Sequence, residues 1–404
     1  MKIGILTYYR VANFGANLQA VSTYYHLVKR GHHPILIYYE PTYSTVRKME
    51  PDESKQAQVH YEFLDSLSLN ETPLCRDSHE VMSAINKFGI EAVIVGSDAV
   101  VQHHPLLSRI HRGRRKPFWI GKKAPDKSFP NPFWGVGIDS SISMAMMSVS
   151  SQNSQYRLFS KRLRSRMANA LGRMKYISVR DEWTKQMMLL VLGKQSKKIH
   201  LTPDPVFAFN YNAKELIPSE VDIRNYYKLP HEYILVCLNA QNLKETQLQE
   251  MKEKFAAKGK CCVAFTLPLG IKFRHPFDVE INVPLPPLDW YAIIKYSSGY
   301  IGCNMHPIVV SLHNAVPCFS IDNWGTRNFW GHSTDNGSSK VADILERFGL
   351  KENRAVIENG KCVVSTDLIV DKILNFPREK IRKFSAEWTE VYKVMMDDIL
   401  CSFK

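Results

Sequence analysis

Tyr300-Ile-Gly-Cys-Asn-Met-His306-Pro-Ile-Val-Val-Ser-Leu-His-Asn-Ala-Val-Pro317-Cys-Phe-Ser-Ile-Asp322-Asn-Trp-Gly325 is the stretch that decides how this chain is read. A short apolar strand meets a turn, a helix opens at His306-Pro307, and a second apolar strand closes on Asp322. Pro307 suits a first helical turn, where its missing N–H would have had no intrahelical partner. The other N–H groups of that turn point outward and favour an anion. His306 therefore stands just past the end of a buried strand, where open α/β sheets bind their ligands. We take it as the candidate reactive group. The ordinary alternative is a helix-start residue packed between domains, with its imidazole bonded to a carbonyl. His313 lies seven residues on, roughly 10 Å along a helix and too far to share one metal ion, so no metal site is expected. Cys303 reads as a packed strand-end thiol and not as a nucleophile.

Working outward, the stretch closes a series of alternating elements: a strand over 233–238, a helix over 243–257, a strand over 261–266 and a helix over 288–296. An equivalent series precedes it. There a strand over 2–8 leads to a helix over 18–29, ended by Gly31, and to a strand over 34–39. Ala92-Val-Ile-Val95 then runs into Gly96-Ser97-Asp98, and strands over 142–150 and 176–179 flank a basic helix over 156–171. A polar segment, 210–228, separates the two series, and residues 364–404 are helical with Pro377 as punctuation. The alternation predicts an α/β fold of two Rossmann-like domains, 1–215 and 216–376, with a helix over 377–404 crossing back to the first. With 404 residues, 45% of them apolar, the chain is long enough for two cores.

Three further places stand at strand ends. Asp98 follows a fully apolar strand and either faces the ligand crevice or caps a helix. Arg180, the first residue after the strand over 176–179, either holds a carboxylate or phosphate with its planar fork or pairs with Asp181 or Glu182. The loop Asn13-Phe-Gly15-Ala-Asn17 is either a one-glycine phosphate loop or a plain connection with Asn capping.

The formal charge of +14 points to anionic partners. Its densest source is 109–127, where Arg109, Arg112, Arg114, Arg115, Lys116, Lys122 and Lys123 interleave with Phe118 and Trp119. No helix-turn-helix or RNP pattern accompanies them, so nucleic acid is not the expected partner; the segment reads as a solvated basic loop, with an anionic membrane face as the partner it could meet. Eight cysteines without a CxxC pair fit a reducing cytoplasm. No signal peptide or membrane span is legible, so any membrane contact is expected to be peripheral, at the inner face.

Taken together, these segments resemble the polysaccharide pyruvyl transferase family. The resemblance rests on Gly4-Ile-Leu-Thr-Tyr, on Asn13-Phe-Gly15-Ala-Asn17-Leu-Gln-Ala20 and on Val93-Ile-Val-Gly-Ser-Asp98. It continues through Ile177-Ser-Val-Arg180-Asp-Glu, Asp204-Pro-Val-Phe207 and Met305-His306 with Ala315-Val-Pro317. It implies a GT-B-like pair of domains facing across a cleft, acceptor side first and donor side second. It also implies transfer of the enolpyruvyl group of phosphoenolpyruvate to a polysaccharide or lipid-linked sugar as a ketal, releasing phosphate and using no cofactor. On that reading His306 and Asp98 are catalytic, and Arg180, Asn304 and Met305 bind the donor. Asn13, Gly15, Asn17 and Ser97 line the acceptor side. Asn304 stands where the family commonly has Arg, and Ala99-Val-Val-Gln follows Asp98 in place of Gln-Val-Trp. A nucleotide-sugar glycosyltransferase of the same architecture is the nearest alternative, and a basic nucleic-acid-binding protein the alternative from another class.

Overall fold

The computed structural model describes residues 1–41, 51–112, 118–193, 198–239, 242–330, 333–358 and 361–404. Its N-terminal half carries six parallel strands in the order His33–Leu36, Lys2–Leu6, Ala92–Val95, Ser143–Val149, Met174–Val179 and His200–Leu201. The C-terminal half orders Val279–Ile281, Cys261–Phe265, Tyr233–Cys237, Gly299–Gly302, Cys318–Asp322 and Arg354–Glu358, all parallel, with Lys361–Cys362 added antiparallel at the edge. Parallel sheets need cover on both faces. Accordingly, every residue of Ala92–Val95, Tyr233–Cys237 and Cys318–Asp322 is buried. In each sheet the direction of winding reverses at one place, beside Lys2–Leu6 in the first and beside Tyr233–Cys237 in the second. Such switch points open crevices at the carboxyl ends of strands.

The first helix begins earlier than the apolar spacing suggests, at Phe14, because the Asn13 side chain accepts from the Ala16 N–H at 3.2 Å and caps it. Phe14–Lys29 is buried around most of its circumference, as a helix lying between two halves must be. Phe14 stacks on Trp290 of the other half, centroids 4.9 Å apart, and Ser22 Oγ donates to the Pro205 carbonyl. The basic helix starts only at Lys161, where Ser160 caps it, and a 3₁₀ turn occupies Tyr156–Leu158. Asp181 caps the helix Glu182–Leu192, so Arg180 stands between the end of its strand and that cap.

The last helix, Arg378–Ser402, does cross back. Near its start Ser385 Oγ donates to Leu312 O in the second half; further on, Met395 Sδ lies 3.3 Å from Ser148 Oγ in the first, and Asp397 pairs with Arg30. One continuous core, including Leu18, Phe207, Tyr291, Ile308 and Tyr392, joins the halves. Residues 113–117, the centre of the basic segment, fall outside the described residues; around them Ile110–His111 pairs antiparallel with Trp119–Ile120. No described helix is long and apolar enough to cross a membrane, and all eight cysteines are free thiols.

Candidate functional site

A cavity of about 530 Å³ lies between the carboxyl ends of the two sheets. The first half lines it with Tyr8, Asn13, Gly15 and Asp98, and the second with Asn304, Met305, His306, Trp324 and Lys340. An outer cleft of about 830 Å³ shares Asn13, Gln152, Asn304 and Trp324 with it, so the inner space opens outward along the line between the halves.

His306 is positioned from both sides of that line. Its helix, Met305–His313, opens at Met305, and Asn304 in the capping position makes no side-chain cap bond, so its amide is not what satisfies the first N–H groups. The imidazole lies directly on Gly15: a Cβ there would sit 2.1 Å from His306 Cγ. This is a glycine for close approach and not for a turn. His306 Nε2 is 2.9 Å from Gln19 Nε2 and 3.9 Å from Asp204 Oδ2. Gln19 Nε2 also donates to the Asp204 carboxylate, which fixes that atom as the amide nitrogen and makes His306 Nε2 an acceptor. The network thus assigns the ring proton to Nδ1. Burial favours the neutral ring, and Asp204 and Asp98 offset it only in part, so the imidazole sits below its ordinary pKa.

Beneath the ring lies an ion cluster. Arg180 donates to Asp204 Oδ2 at 2.7 Å and to Asp98 Oδ1 at 3.0 Å, with its side chain 1% exposed. Asp181 and Glu182, its neighbours in sequence, are not these partners. Both terminal nitrogens are engaged, Nε is buried without a partner, and the guanidinium does not line the cavity. Asp98 does line it. Burial alone would raise the Asp98 carboxyl, but Arg180, His306, Lys340 and the Ala99 N–H outweigh that and hold it below the usual carboxylate range. Its backbone has a φ of +87°, a left-handed conformation that Asp tolerates better than most residues, and Val100 and Ser150 N–H groups fix its carbonyl.

The other residues singled out in the sequence divide. Asn13, Gly15, Asn304 and Met305 reach the cavity. Asn17 turns inward to Val11 O and His60 Nδ1, and Ser97 Oγ donates to Ser148 O; both are buried and neither lines the cavity. Three members of the site were missed. Gln19 and Asp204 were in view as motif residues, yet only the fold brings positions 185 residues apart into contact. Lys340 begins the helix Lys340–Arg347, and a lysine at a polar helix start carries no signal in sequence. Among the described residues no three His, Cys, Asp or Glu side chains cluster as metal ligands would.

The polysaccharide pyruvyl transferase family model matches residues 13–325. The chain belongs to that family. As a member it is a transferase, and the matched region runs from the cap of the first helix to the loop after the strand Cys318–Asp322. No curated protein matches it in sequence. Solved structures with a similar trace include the UDP-GlcNAc 2-epimerase of Methanocaldococcus jannaschii, at 12% identity, 96% and 100% coverage of the two chains and TM-score 0.49. The S. aureus MnaA–UDP structure matches at 12%, 95% and 90%, and 0.47, and the E. coli ADP-heptose heptosyltransferase II at 11%, 95% and 99%, and 0.41.

Proposed function

We propose that this family member transfers the enolpyruvyl carbons of phosphoenolpyruvate to a sugar as a cyclic ketal, releasing phosphate. The observation that carries the reading is the seat of His306, held by one half against Gly15, Gln19 and Asp204 of the other, at the cavity where both sheets end.

The chemistry needs a proton at the donor's methylene carbon, turning CH₂ into CH₃, and positive charge near its phosphate and carboxylate. One sugar hydroxyl then adds to the adjacent carbon and loses its proton. The carbon–oxygen bond to phosphate breaks, a second hydroxyl takes its place and loses its proton, and one of the two released protons leaves with phosphate. With its pKa lowered by burial, His306 is neutral near pH 7 and a poor acid. An anionic donor beside it raises its proton affinity, so donor binding takes up a proton at Nε2, beside Asp204, and turns the imidazole into an acid. Arg180 then acts by holding Asp98 and Asp204 in place, and Asp98 receives a sugar hydroxyl.

Calorimetry tests the reading. The protein should bind phosphoenolpyruvate and not UDP or GDP, with proton uptake near pH 7 seen as a dependence of heat on buffer. Tight UDP or GDP binding without phosphoenolpyruvate binding would favour glycosyl transfer instead.

We further propose that a lipid-linked acceptor is met at a membrane surface. Phe118, Trp119 and Ile120 of the first half and Phe329 and Trp330 of the second are exposed together. Phe118 and Phe329 lie 6.0 Å apart, and Arg112 covers the Trp330 ring. Aromatic rings beside cations suit the interface of an anionic bilayer.

A further inference from the structure

Arg180 is the basic residue that the sequence offers at this site, yet its charge is already spent on two carboxylates. Counting His306 as neutral, Arg180, Asp98 and Asp204 together carry a net charge of −1. An anionic donor would enter against that charge unless another cation faced the cavity. Among the described residues, two lysines line the inner space, Lys127 and Lys340. Lys127 is exposed, whereas Lys340 is half-buried.

Lys340 reaches the cavity from a rigid mount. Ser339 caps its helix by accepting from the Ala342 N–H, and Val341, Ile344 and Leu345 bury the inner face. Arg354 donates to the same Ser339 hydroxyl while paired with Asp322 and Asp335. Asp343 accepts from the Glu182 N–H at 3.2 Å, tying the helix start to the first half beside Arg180. The ammonium lies 5.7 Å from the centroid of the Trp324 ring, another cavity wall. Among the described residues it makes no hydrogen bond or ion pair. It is thus a cation at the cavity wall that rests on the Trp324 ring with no anionic partner among the described residues, and it lies beyond the matched residues 13–325.

We propose that Lys340 is the residue that receives the phosphate or carboxylate of the anionic donor. This rests on the donor reading above and names the charge that makes it feasible. Groups facing Lys340 from the packed elements are Asp98, Asp181, Asp204, Arg180 and His306. Burial, and next the Arg180 charge, press the ammonium down to about 8, while the three carboxylates support it. Lys340 therefore loses its proton in a reachable range, and donor affinity falls as pH rises through about 8. An arginine in its place would not titrate there.

The test is calorimetric titration of phosphoenolpyruvate, with inorganic phosphate as a second probe, into the parent, Lys340→Met and Lys340→Arg proteins at pH 7 and pH 9. Lys340→Met keeps the stem and loses the charge, so affinity at pH 7 should fall roughly tenfold to a hundredfold, as for the loss of one hydrogen bond to a charged group. Lys340→Arg should retain most of the affinity and flatten the fall between pH 7 and pH 9 seen in the parent. That second comparison stands even if the Met variant fails to fold, and a lysine with only a structural role would not shift the profile. If the parent binds phosphoenolpyruvate and Lys340→Met, folded, binds equally well, the assignment is overturned and the donor reading survives. The assignment is likewise overturned if parent and Lys340→Arg share one pH profile. If the parent does not bind phosphoenolpyruvate, the donor reading fails and takes the assignment with it.

Discussion

Gly15→Ala separates the stability of the fold from the chemistry of the site. The new Cβ would lie 2.1 Å from His306 Cγ and 2.3 Å from Cδ2 and Nδ1, where ordinary contact begins near 3.4 Å. The ring must therefore retreat by roughly 1.3 Å, the difference between those two distances. It does so by swinging on its own bonds or by opening the line between the halves, and either movement takes Nε2 away from Gln19 and Asp204. A displacement of about 1 Å in a reacting group costs on the order of 10²-fold in rate. Stability moves differently, because Gly15 sits in the first turn of a helix. Alanine there gains up to about 1 kcal/mol of helix preference, against an overlap cost of roughly 1–3 kcal/mol. Thermal unfolding should shift by only a few degrees, while phosphate release from phosphoenolpyruvate, assayed with a panel of hexopyranosides, drops about a hundredfold. A folded Gly15→Ala protein working near the parent rate would refute the claim that the imidazole's seat matters.

Two further outcomes follow from other parts of the molecule. His26 and His60 are buried and, chiefly by burial, pushed down to about 4, whereas in an unfolded chain each titrates near 6.5. The unfolded state alone binds those protons between these values, so stability is whole above about pH 6.5 and is lost as pH falls toward 4. The two together give a slope approaching roughly 2.7 kcal/mol per pH unit, and urea unfolding that is unchanged between pH 7 and pH 5 would contradict it. For the membrane proposal, Phe118→Ser with Trp119→Ser should cut co-sedimentation with anionic vesicles several-fold; equal binding by both proteins, or none by the parent, would remove that role.

The fold was largely legible because several of its parallel strands are uninterrupted apolar runs, and a run such as Ala92–Val95 or Tyr233–Cys237 has few other uses. Val279–Ile281 and Arg354–Glu358 were not legible, since the first has only three residues with Glu280 at its centre and the second begins and ends on a charged residue. The position of His306 was readable from its strand–turn–Pro setting, but its environment was not. Gln19 and Asp204 meet it only through the docking of two halves, and Arg180 binds Asp98 across 82 residues, not its neighbours Asp181 and Glu182. The same docking explains Asn17 and Ser97. Asn17 lies in the first turn of its helix and Ser97 in the turn after its strand, yet each spends its side chain on holding the local backbone or a packed neighbour, a choice set by contacts distant in sequence.

The most direct measurement of the central claim is the rate of phosphate release from phosphoenolpyruvate by His306→Asn, with the same sugar panel and with calorimetric binding run beside it. Asparagine keeps a polar group of similar reach and loses proton transfer. Donor binding should persist while the rate falls by roughly 10²- to 10⁴-fold. A folded His306→Asn protein that binds phosphoenolpyruvate and releases phosphate at the parent rate would contradict the account.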